Sequence, residues 1–121
     1  MKENIIQEKS FRFSVRIIHL YQHLLREKKE FVLSKQILRC GTSIGANVEE
    51  SVGAQTKKDF ITKITIAYKE ARETGYWLRL LREVKYITES EFLSLFSDCE
   101  ELMRILGSIQ KTAKAGNKTH S

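Results

Sequence analysis

Apolar residues recur at three- and four-residue spacing through most of the chain, in four stretches separated by short polar breaks. In the first, Phe11, Val15, Ile18, Tyr21, Leu24 and Leu25 make one stripe and predict a helix from Ser10 to Lys28 that buries it. The second predicted helix runs from Phe31 to Gly53, with Ile37, Gly41, Ile44 and Val48 on one face. Gln36, Arg39, Ser43, Asn47 and Glu50 run along the opposite flank, and Gly53 is the natural stop. Thr56-Lys57-Lys58-Asp59 has the form of an N-terminal cap, opening a third helix that reaches Tyr86 and is expected to be the longest. The stronger capping box Thr88-Glu89-Ser90-Glu91 opens a fourth, carrying Phe92, Leu95, Phe96, Cys99, Leu102, Met103, Leu106 and Ile109.

No proline interrupts these patterns and no segment of useful length alternates at period two, so the class is all-α. Short links leave no room for a crossover and predict an antiparallel up-down-up-down four-helix bundle. The bundle is expected to occupy residues 1–110, and residues 111–121, with Lys111, Lys114 and Lys118, to form a basic, disordered tail. Gly41 and Gly45 would each cost about 1 kcal/mol relative to alanine inside a helix, which points to close backbone approach by a neighbour.

Helix three is apolar over more than a monomeric bundle needs. Trp77, Leu78, Leu80, Leu81, Val84 and Ile87 cover about half its circumference at ~100° per residue, and Leu93, Leu95, Phe96, Leu102, Ile105 and Ile109 spread similarly in helix four. A second copy of the chain would cover the excess, with Trp77, Leu80 and Val84 holding subunits together. The competing reading lays Trp77 across a neighbouring helix of its own chain.

Charge then adds a candidate function. The 121 residues carry a net charge of +6, concentrated in residues 1–29 and 57–87, each of which is +4. Arg12, Arg16, His19, His23 and Arg26 share one edge of helix one, while Lys58, Lys69, Arg72, Tyr76 and Arg79 share a face of helix three. Phosphate backbones reward such faces by counterion release, and Arg and Tyr can stack on unpaired bases. Arg12, Arg16, Arg26, Lys69, Arg72, Arg79 and Tyr76 are therefore the candidate nucleic-acid contacts. The alternative is a solvated charged face in which acids such as Glu73 and Glu83 pair with these bases. The flank Arg39, Ser43, Asn47 and Glu50 is a candidate structural polar set, with Glu70 and Glu73 of helix three as acidic partners for Arg39 or Asn47.

Signals for catalysis are weak. His19 and His23 have the i, i+4 spacing of a helical zinc pair, but Leu20 stands where an HExxH motif has its glutamate and no third ligand is evident. No serine lies in a nucleophile-elbow or SxxK setting and no phosphate loop follows a strand, so no enzyme, metal or cofactor is expected. Cys40 and Cys99, without CxxC spacing, read as buried thiols of a reducing compartment. The N-terminus lacks a signal-peptide core and no stretch approaches the ~20 apolar residues of a membrane span, so a cytoplasmic protein without a membrane partner is expected.

Gln36-Ile37-x-Arg39, then Ser43-Ile44-x-Ala46-Asn47-Val48-x-Glu50, Ile66-Ala67, Glu73-Thr74 and Tyr76-Trp77-Leu78 carry a resemblance over roughly Phe11 to Leu106. They are similar to a four-helix-bundle family whose genes were first noticed in intervening sequences of bacterial large-subunit ribosomal RNA genes, and which is often mislabelled ribosomal. Ser51 stands where many members have Gly or Ala, and Lys69-Glu70 where many have Gly-Ser. The resemblance implies an antiparallel bundle assembling as a ring, commonly a homopentamer. A related bundle, the accessory protein of diversity-generating retroelements, resembles a basic ring that engages nucleic acid and a reverse transcriptase.

The leading expectation is a non-enzymatic homo-oligomeric bundle binding RNA or DNA through its basic surface. The runner-up is a protein-interaction scaffold whose basic face meets an acidic protein partner. A third reading gathers Glu70, Glu73 and His19 in a catalytic cleft.

Overall fold

The computed structural model describes the backbone of residues 2–119 and the side chains of residues 5–116. Four helices follow one another, α1 (Lys2–Arg26), α2 (Leu33–Val52), α3 (Lys57–Glu83) and α4 (Glu89–Thr119). Each packs antiparallel on its neighbour in sequence and α4 closes on α1, giving the up-down-up-down bundle. Among the described residues α1 and α3 make no close contact, so they stand at opposite corners.

The helix ends follow from side-chain chemistry. At α3, Thr56 Oγ1 accepts the Asp59 N–H at 3.0 Å. At α4 the capping box is reciprocal: Thr88 Oγ1 accepts the Glu91 N–H at 3.1 Å, and Glu91 Oε1 accepts the Thr88 N–H at 2.7 Å. At α2 the work falls to Glu30, whose carboxylate accepts the N–H groups of Val32, Leu33 and Ser34 at 3.2, 3.0 and 2.7 Å. α2 consequently starts two residues after the predicted Phe31. The C-terminus of α3 closes with Tyr86 N–H on Leu81 O at 2.9 Å and Lys85 N–H on Arg82 O at 3.0 Å, with Lys85 in the left-handed region at φ 66°.

One predicted stripe is corrected. In α1 the core positions are Ile6, Phe13, Ile17, Leu20 and Leu24, whereas Phe11 (70% exposed), Val15 and Ile18 face outward. α1 carries two apolar stripes, and what selects between them is the neighbour. Gly41 and Gly45 bring α2 close enough that an added Cβ at Gly41 would stand 2.8 Å from Ile17, and one at Gly45 3.2 Å from the Ser10 carbonyl oxygen. Ile17 therefore fills the space over Gly41.

The expected longest helix is also corrected: α4, with 31 residues, exceeds α3, with 27. Residues 111–116, assigned above to a tail, continue α4, where Ala113 and Ala115 favour helix and Lys111 and Lys114 suit a helix C-terminus. The Lys118 side chain lies outside the described residues. Gln110 donates to Thr65 Oγ1 at 3.1 Å, holding this end of α4 on α3. Leu78, Leu81, Cys99, Leu102 and Leu106 join the α1 and α2 residues in one core. The α1–α4 seam is the least closely packed and is bridged by charge, Lys9 to Glu101 at 3.3 Å and Arg16 to Asp98 at 2.7 Å.

Candidate nucleic-acid interface

The two basic surfaces predicted from the sequence have different fates. On α1, Arg16 is committed to α4: its guanidinium donates to Asp98 at 2.7 Å, Ser94 Oγ at 2.9 Å and the Ser94 carbonyl at 3.4 Å. Arg12 pairs with Glu8 one turn earlier. Arg26 is exposed and in no salt bridge among the described residues. Lys9 and Arg16 of α1 are thus neutralised by Glu101 and Asp98 of α4, far away in sequence and adjacent in space.

α3 is different. Lys69, Arg72, Tyr76 and Arg79 are all exposed along its outer face, and none of the three cations is in a salt bridge among the described residues. Their spacing, i, i+3, i+7 and i+10, places them over about three turns. Tyr76 is flanked one turn away on either side by Arg72 and Arg79, and its ring meets Trp77 edge-on with centroids 5.3 Å apart. A partly exposed ring braced by a neighbour and flanked by two guanidinium groups can stack on a base while the cations reach phosphate oxygens.

Beside this face lies the polar set. Arg39 of α2 spans to α3, reaching Glu70 Oε2 at 3.2 Å and also pairing with Glu73. Trp77 Nε1–H donates to the same Glu73 oxygen at 3.0 Å. The expected partner for Arg39 is thus in place, and Trp77 is anchored within its own chain. Asn47 does not reach α3: its amide donates to Ser43 O at 2.9 Å and Ser43 Oγ at 3.0 Å within α2. Glu50 pairs with Lys63 at 2.7 Å. A further polar link missed from the sequence is Thr74, fully buried, whose hydroxyl lies 2.8 Å from Glu70 O and 3.2 Å from Cys40 Sγ. Burial pushes the Cys40 thiol up to about 11 and the Cys99 thiol up to about 12.

Of the interface candidates, Trp77 and Leu80 are half-buried and Val84 is 53% exposed. The third reading does not find its geometry, because Glu70 and Glu73 are occupied by Arg39 while His19 is exposed on α1, the opposite corner. Among the described residues no three His, Cys, Asp or Glu side chains are grouped to hold a metal ion, and no helix is long and apolar enough to cross a membrane.

Known proteins provide a frame for these surfaces. The family described as 23S rRNA-intervening sequence protein matches residues 2–108. The crystal structure of a protein of unknown function from the S23 ribosomal protein family of Bacteroides thetaiotaomicron VPI-5482 is 53% identical to this chain. It covers 92% of this chain and 99% of its own length, with a TM-score of 0.90. No curated protein matches significantly.

Proposed function

Because the chain belongs to the 23S rRNA-intervening sequence protein family, we propose that it is a non-enzymatic, self-assembling bundle whose outer α3 face binds RNA or other nucleic acid. The observation that carries this reading is the row Lys69, Arg72, Tyr76 and Arg79, exposed together with its three cations in no salt bridge among the described residues. Cations left free in this way release condensed counterions when they meet phosphates, and a stacking ring tolerates any base. Binding is therefore salt-sensitive and sequence-tolerant. Arg16 is a structural clamp in this account, whereas Arg12 can exchange Glu8 for phosphate because an exposed pair is worth only ~0 to 1 kcal/mol.

Self-assembly is supported by two separate apolar surfaces, Phe11, Val15 and Ile18 on α1 and Leu80 of α3 with Val84 just beyond its end, beside Trp77. Two unlike surfaces that fit one another make a heterologous contact, which closes into a ring when the rotation allows. The resemblance noted above favours five members for such a ring. Since the basic edges of α1 and α3 stand at opposite corners of one bundle, assembly is also what can pool them. The retroelement accessory protein offers an analogy for a basic ring on nucleic acid.

The test is fluorescence anisotropy of a labelled single-stranded RNA across a salt series. The double substitution Arg72→Gln and Arg79→Gln should lower the slope of log affinity against log salt by roughly 1 to 1.5 without changing the melting temperature. An unchanged slope would remove α3 as the binding face and favour an acidic protein partner instead.

A further inference from the structure

At the end of the bundle where α1 stops and α3 turns into α4 lies a cleft of about 500 Å3, lined by His23, Lys28, Arg82 and Lys85 against Glu89 and Glu91. Both carboxylates are already engaged. Glu91 Oε1 accepts the Thr88 N–H at 2.7 Å in the α4 capping box, and Glu89 faces Arg82 at 3.8 Å. The Arg82 guanidinium is held further by the Phe92 ring, 3.9 Å beneath it. His23, Lys28 and Lys85 have no salt-bridge partner among the described residues. The Thr88 N–H holds the Glu91 carboxyl below its ordinary value against the opposing effect of burial, and the fields of His23 and Lys28 act in the same direction.

Lys85 can be tested without disturbing the turn it occupies. It occupies the left-handed position that ends α3, at φ 66°, where glycine carries no steric penalty and a lysine does. Termination of α3 needs only the backbone of this residue, since the two closing hydrogen bonds are made by the N–H groups of Lys85 and Tyr86. The Lys85 side chain is exposed and lines the cleft, whereas Lys29, also at positive φ, does not line it.

We propose that this cleft binds a phosphate monoester, with His23, Lys28 and Lys85 contacting its non-bridging oxygens while Arg82 stays on Glu89 and Phe92. A monoester presents three terminal oxygens and close to two negative charges, which suits two lysines and an imidazole lining one cleft better than a carboxylate or a diester. The volume suits a group of nucleotide size, and Tyr86 provides a half-buried wall for its organic part. This site is separate from the α3 outer face and stands whether or not that face binds nucleic acid.

The experiment is an amide-proton NMR titration of the full chain with inorganic phosphate, against chloride at equal ionic strength. AMP and an oligonucleotide with either a 5′-phosphate or a 5′-hydroxyl follow. Shifts confined to residues around Lys28, Lys85 and Thr88 are expected. Lys85→Gly should melt at the same temperature or higher, yet weaken phosphate binding by about tenfold, as should Lys28→Ala. Lys114→Ala, toward the far end of α4, should leave binding unchanged. Preference for AMP would identify a free nucleotide as the source of the phosphate, and dependence on the 5′-phosphate would identify a strand end. Shifts scattered over the surface, or a Lys85→Gly protein that binds as wild type, would overturn the proposal.

Discussion

Glu73 is shared by two donors, the Arg39 guanidinium from α2 and the Trp77 indole one turn on in α3, while Arg39 keeps Glu70 as a second acceptor. Because Arg39 is half exposed, this junction contributes modestly to stability and mainly fixes the register of α2 on α3. Glu30 and Glu91 do more. Burial pushes the Glu30 carboxyl up, but the N–H groups of Leu33, Ser34 and Val32 outweigh it and hold it below its ordinary value; the Thr88 N–H does the same for Glu91. A carboxyl lowered in the folded state stabilises fully above its unfolded value, and that contribution disappears as pH falls through the folded value. Glu30→Gln should therefore cost about 0.5 to 2 kcal/mol at neutral pH, and urea unfolding at about pH 3 should show the gap to wild type narrowing. The thiols, at about 11 and about 12, remain protonated at neutral pH. Alkylation of Cys40 and Cys99 should be slow in the folded protein and fast in urea. At this scale the Arg39 partnership was legible, because both acids recur along one face of α3. The Arg16 clamp was not, since Asp98 lies outside any local pattern.

Helix existence and order were readable from periodicity, and the caps at Thr56 and Thr88 placed two starts correctly. The face of α1 was not readable, because Phe11, Val15 and Ile18 form as regular a stripe as Phe13, Ile17 and Leu20. The deciding information sits in α2, where the glycines at 41 and 45 admit α1 closely. Gly41→Ala tests that account. Helix propensity would gain about 1 kcal/mol, while a methyl 2.8 Å from fully buried Ile17 overpacks the seam at a cost of about 1 to 3 kcal/mol. A net loss of stability is expected in urea unfolding, and a gain would show that α1 and α2 can separate freely. The α1–α4 seam, the least closely packed and bridged by Lys9–Glu101 and Arg16–Asp98, should weaken as salt screens these pairs.

For the whole molecule, the basic α1 is partly neutralised by Asp98 and Glu101 of α4, while Lys69, Arg72 and Arg79 on α3 are exposed and in no salt bridge among the described residues. Net charge alone located two basic helices, but only the three-dimensional arrangement distinguishes a neutralised one from an available one. Apolar surface follows the same logic, with Phe11, Val15 and Ile18 exposed on one side and Val84 on another. The most direct measurement is light scattering after size exclusion, with and without single-stranded RNA, at low and high salt. A discrete oligomer that takes up RNA at low salt and releases it at high salt is the predicted result. A monomer, or an oligomer indifferent to RNA at both salts, would contradict the account.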